Sequence, residues 1–138
     1  MAIQDFRKWE DDFGWDKPAL AEALNVLGDE AARHLERTLR QAVSDYSSVI
    51  ALIHVPPFKE AAWYEGKHSD DNYLPHFACK ATGDAMRRVM HNQPHSRLLV
   101  LCGHTHGQGE VQVTENMSVL TGGAEYRKPM LQRVFDIE

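Results

Sequence analysis

Residues 98–109, "LLVLCGHTHGQG", decide how this chain is read. Leu98-Leu99-Val100-Leu101 is an apolar run without polar interruption, the composition of a strand buried on both faces of a parallel sheet. Beyond Cys102, two imidazoles, His104 and His106, stand two residues apart among Gly103, Gly107 and Gly109. The same device occurs upstream. Ser48-Val49-Ile50-Ala51-Leu52-Ile53 is a β-branched-rich run that closes on His54, and Pro56-Pro57 then forbids further regular hydrogen bonding. Between the two runs, Cys79 to His91 carries Ala81, Met86, Val89 and Met90 at helical spacing, so strand, helix and strand form a βαβ unit.

Working outward, Leu20, Leu24, Leu27, Ala31, Leu35, Leu39 and Val43 recur at steps of three and four, and Pro18 suits a first helical turn. Gly28-Asp29 predicts an interruption, with Asp29 capping a second helix that runs to about Ser44. Residues 1–15 read as an irregular lead-in to a single domain over 16–138. After His106, "GEVQVTENMSVLTGG" alternates on both sides of Glu115-Asn116 and "PMLQRVFDI" alternates again, which predicts a three-stranded antiparallel meander. The expected class is α/β, a βαβ unit followed by that meander.

The chain has 138 residues, of which 43% are hydrophobic and 25% charged, a composition that supports one packed core. No apolar run approaches a membrane span and the first residues lack a signal-peptide pattern, so a cytoplasmic protein is expected. The formal charge of −5 is evenly spread and forms no basic stripe, which favours neither nucleic acid nor anionic membrane as a partner. Cys79 and Cys102 are too few for a disulfide framework and read as packing residues.

Of eight histidines, His34, His68, His91 and His95 fall among charged neighbours and read as solvated. His54, His104 and His106 end strands at the carboxyl edge of a parallel sheet, where open α/β sheets assemble ligand sites. Neutral imidazole is a common metal ligand, and the glycines are expected to supply unusual backbone conformations around the two paired rings. The loop "FKEAAWYEGKHSDDNYLPHF" is too long for a connector. With Trp63, Tyr64, Glu65, Lys67, Asp70, Asp71 and His76, it reads either as a lid or as a solvated loop anchored by aromatics.

"VIALIHVPPF" and "LLVLCGHTHGQGE", taken together, closely resemble the two C-terminal signature blocks of the calcineurin-like metallophosphoesterases: a His after an apolar strand, then Gly-His-x-His. The resemblance covers Ser48 to the C-terminus in order and spacing. It implies the C-terminal half of a β-sandwich flanked by helices and a hydrolase of phosphomono- or phosphodiesters that uses a hydroxide held between two ions. His54 and His104 would contact one divalent ion (Mn, Fe, Zn or Ni) and His106 the other. The family's N-terminal Asp-x-His, Gly-Asp-x-x-Asp and Gly-Asn-His-Asp blocks do not occur here. Gly28-Asp29 and Gly83-Asp84 lack the second Asp and fall in predicted helices. The expectation is therefore half a site, binding one ion or none, with feeble or no turnover alone.

A half sandwich would also bare an apolar sheet face, so a homo-oligomer or association with the missing N-terminal half is expected, with a phosphorylated small molecule as the ligand. Two alternatives remain at this point. One is a non-catalytic oligomerisation or regulatory module with a vestigial metal site. The other is a cupin-like metal protein, since His104, His106 and Glu110 fit a His-x-His-x-x-x-Glu spacing.

Overall fold

The computed structural model describes residues 17–64, 66–68 and 78–136. The predicted lead-in lies outside the described residues. Helix α1 spans Lys17–Asp45, strand β1 Ser48–Leu52, a 3-10 turn Lys59–Ala61, and a short ribbon pairs β2 Trp63–Tyr64 with β3 Lys67–His68. Helix α2 spans Lys80–His91, followed by β4 Arg97–Cys102, β5 Gly109–Thr114 and β6 Met117–Thr121. The fold is mixed α/β: a four-stranded sheet in the order β1-β4-β6-β5, two helices and the small antiparallel ribbon. A nearly all-strand barrel of the cupin kind is not what the described residues form.

β1 and β4 pair in parallel, Ser48 opposite Arg97 and Leu52 opposite Leu101, with α2 between them in the chain, which gives the expected βαβ unit. β6 then pairs in parallel with β4 on one side and antiparallel with β5 on the other. This corrects the three-stranded meander. Both edges of β6 are occupied, so the last apolar segment has no place beside it, and residues 129–136 form no strand. Pro129 brings no N–H to a ladder, and Gln132 spends its amide on Gly123, accepting that residue's N–H at 2.9 Å and donating to its carbonyl.

The interruption expected at Gly28-Asp29 is also absent: α1 is one continuous helix. A glycine inside a helix costs only about 1 kcal/mol relative to alanine, and packing overrides it. Ala32, Leu39 and Val43 are buried, and Gly28 lies where a Cβ would stand 3.4 Å from Cys79 Sγ. Asp29 is no cap. It sits mid-helix, and its carbonyl accepts a hydrogen bond from Arg33 Nε at 3.2 Å. Arg88 of α2 reaches Glu36 of α1 at 2.8 Å, and Arg40 reaches the other carboxylate oxygen at 2.6 Å.

The core lies between the helices and one sheet face. Leu39 and Val43 of α1 and Met86, Val89 and Met90 of α2 meet Leu98, Val100, Met117 and Val119, with Phe58 and Ala61 closing one end. Strand register puts Val49 and Ala51 on this same face. The opposite face is less covered. Leu99, Leu101 and Leu120 are half-buried, while on β1 Ile50 is 38% and Leu52 78% exposed. β1 is therefore an edge strand with one open face, not the doubly buried strand its composition predicts. A groove of about 1230 Å³ runs along it, lined by Leu20, Leu24 and Leu27 of α1 and by Ile50 and Leu52. No helix among the described residues is long and apolar enough to cross a membrane.

Candidate functional site at the carboxyl edge of the sheet

The three parallel strands β1, β4 and β6 deliver their carboxyl ends to one rim, and the backbone ladder continues past each strand to hold those ends together. Ile53 N–H donates to Leu101 C=O and Gly103 N–H to His54 C=O, both at 3.0 Å, while Gly122 N–H donates to Cys102 C=O at 2.8 Å. These bonds leave His54 beside Gly103-His104 on one side of β4 and the segment after Thr121 on its other side. Pro56 and Pro57, fully buried, hold the chain beyond His54, and Pro56 C=O accepts Cys79 N–H at 2.9 Å.

His54 and His104 meet directly. Nε2 of His54 and Nδ1 of His104 are 3.1 Å apart, the ring centroids 5.0 Å apart, the planes at 71°. Partial burial holds the His54 pKa below its ordinary value of 6.5, and nearby positive charge, His106 among it, lowers it further. The His106 ring lies edge-to-face on Tyr126 with centroids 4.8 Å apart. The structure thus brings two of the three predicted residues into contact and sets the third against a tyrosine. Among the described residues, no group of three or more His, Cys, Asp or Glu side chains is set to hold a metal ion.

The backbone is held in a rarely used conformation here, and not where the sequence leads one to expect it. His104 and His106 themselves have φ of 72° and 60°, whereas Gly103, Gly107 and Gly109 do not take positive φ. A non-glycine residue in the left-handed region costs about 1–3 kcal/mol and persists only where surrounding contacts enforce it, which is characteristic of functional sites. The glycines serve close approach instead. A Cβ on Gly107 would stand 2.1 Å from Trp63 O, and one on Gly109 would stand 2.2 Å from Trp63 Nε1. The β2/β3 ribbon lies directly on the histidine loop, and His68 stacks on Trp63 at 4.1 Å. Of the loop residues named as a lid, Glu65, Asp70, Asp71 and His76 lie outside the described residues.

Thr105, between the two histidines, is 2% exposed, and its Oγ1 is buried without a hydrogen-bond partner among the described residues. Such orphan hydroxyls are uncommon in folded proteins and call for an explanation. Thr121, at the end of β6, is by contrast satisfied: it donates to Ala61 C=O at 2.7 Å and contacts Cys102 Sγ at 3.4 Å. Burial raises the Cys102 pKa, in keeping with its reading as a packing residue.

The near-miss carboxylates are remote in kind. Asp84 pairs with Lys80 on the exposed side of α2, while Gly83 is the point at which α2 meets the Pro57-Phe58 segment, a Cβ there falling 2.1 Å from Pro57 O. Glu110 is exposed on β5. His34, His91 and His95 are exposed, as their polar neighbours predict. Sequence reasoning missed Tyr126 and Thr105. The available signal was the pair of glycines, Gly122-Gly123, ending β6, but it means little until β6 is known to run parallel to β4. No known protein family, curated protein or solved structure matches the chain.

Proposed function

We propose that the chain is a divalent-metal phosphoesterase of the calcineurin-like type, corresponding in its blocks to that family's C-terminal half and weakly active or inactive alone. The observation that carries this reading is the His54–His104 pair. Two ligand nitrogens, each about 2.0–2.1 Å from one ion at right-angled to tetrahedral geometry, lie about 2.8–3.4 Å apart. The 3.1 Å separation of Nε2 and Nδ1, which share a hydrogen bond in the metal-free chain, falls within that range. A lowered His54 pKa keeps the imidazole neutral, the form a ligand must have.

A divalent ion held there would supply Lewis acidity toward a phosphoryl oxygen and acidify a bound water. The remaining roles fall to the chain's own residues. His54 and His104 would bind the ion, and the β2/β3 ribbon packs on the loop that carries His104 at Gly107 and Gly109. The pair would leave open positions on one ion, and among the described residues no carboxylate joins it.

Zinc titration by calorimetry tests the reading. Stoichiometric uptake that is lost in His54→Ala and His104→Ala is expected, with little hydrolysis of an activated phosphodiester. Rapid metal-dependent turnover by the 138-residue chain would overturn the weak-activity part. The second reading, a non-catalytic association module, is favoured by the exposed Ile50 and Leu52 on an edge strand. Failure to take up metal, together with stable self-association, would favour it over the enzyme.

A further inference from the structure

We propose that Tyr126 is a specificity-determining wall of this site, giving it a preference for phosphoesters that carry a planar aromatic group. The proposal rests on the phosphoester reading above. Tyr126 is 70% exposed, yet its ring is not loose: it meets His106 edge-to-face at 4.8 Å, next to the strained histidine loop. The segment bearing it is pinned at several points. Gly122 N–H donates to Cys102 C=O, and Ala124 N–H donates to His106 C=O at 3.1 Å. Gln132 holds Gly123 from both sides.

Tyr126 and Arg127 then form the tip of a turn closed by a Glu125–Lys128 bridge and ion pair, with Arg127 at φ 63°. A left-handed residue, a closed turn and a backbone bond to His106 serve to present one aromatic ring beside one imidazole. The core gains nothing from a ring that stays mostly in water. An exposed ring on a held backbone and already resting on a neighbouring imidazole can accept a second aromatic group by offset or edge-to-face contact.

The test uses the zinc-loaded 138-residue chain and the ratio of its affinities for phenyl phosphate and methyl phosphate, so that a general change in phosphate affinity cancels. An aromatic contact predicts phenyl phosphate binding about three- to tenfold tighter. Tyr126→Phe should keep the ratio and Tyr126→Ala should bring it to one. Tyr46→Ala, which removes a tyrosine of similar exposure (68%) just after α1, should leave the ratio unchanged. A ratio of one in the unmodified protein, or a ratio retained in Tyr126→Ala, overturns this proposal while zinc uptake leaves the metal reading standing. No zinc uptake overturns both.

Discussion

Nε2 of His54 and Nδ1 of His104 stand 3.1 Å apart although the residues are 50 apart in sequence. The parallel register that aligns Leu52 with Leu101 brings them together, two residues beyond the last ladder pair on one strand and three on the other. Neither imidazole needs a long side chain to reach the other, because the sheet itself supplies the approach.

From that contact follows a ranking of variants. If the pair chelates as proposed, alanine at His54 or His104 removes half of it and should weaken zinc binding at least about tenfold, the scale on which supporting groups of metal sites act. His106→Ala should cost less, since the His106 ring packs on Tyr126 instead of joining the pair. Calorimetric titration of the three variants checks the order, and equal losses in all three would argue for a three-imidazole centre.

The pH dependence of the metal-free protein has a definite sign. The His54 pKa in the fold lies below 6.5, so as pH falls the unfolded chain takes up the proton first. The stability associated with a neutral His54 is complete above about pH 6.5. It is lost as pH drops toward the folded-state pKa and is constant below it. Urea midpoints across the acid range should show this slope, and His54→Asn should flatten it. Titration of the ring by NMR should give a midpoint below 6.5.

Two glycine substitutions should act in opposite directions. Gly28→Ala adds a methyl at ordinary contact distance inside α1 and should stabilise by about 0.5–1 kcal/mol. Gly107→Ala drives a methyl to 2.1 Å from Trp63 O. It should destabilise by about 1–3 kcal/mol through overpacking and free the ribbon from the histidine loop. Chemical denaturation measures both, and Trp63 fluorescence reports the second.

The open edge makes a further prediction. β1 carries no charge, proline or bulge, the usual guards of an edge strand, and Leu52 is 78% exposed. Concentration-dependent association is expected in sedimentation velocity, and Leu52→Lys should shift it toward monomer. A single monomeric species at all concentrations would refute the expectation of an oligomer.

Most of what positions the pair was legible in the sequence. Apolar runs that stop at His54 and just before His104, with a helix between, specify two neighbouring parallel strands ending on imidazoles. What escaped was decided by long-range contacts. Gly28 breaks helices by local preference, but Leu39 and Val43 packing into the core keeps α1 whole. The alternation of β5 and β6 announces a hairpin without naming β6's other neighbour, and that neighbour proved to be β4, not the segment after Pro129. Since the pairing of β6 also determines where its carboxyl end emerges, Tyr126 could not be assigned to the site from its own neighbourhood. The glycine loop was located correctly, but the strain resides on the histidines.

The slot that β6 occupies has a consequence for folding. Among the described strands, the one lying second from one side of the sheet comes last in the chain, and its buried Met117 and Val119 share a layer with Val100. Until β6 docks between β4 and β5, the folding chain holds a half-laid sheet with its most apolar rung unfilled. Chaperones and proteases would therefore meet this polypeptide at its most vulnerable before that strand is seated.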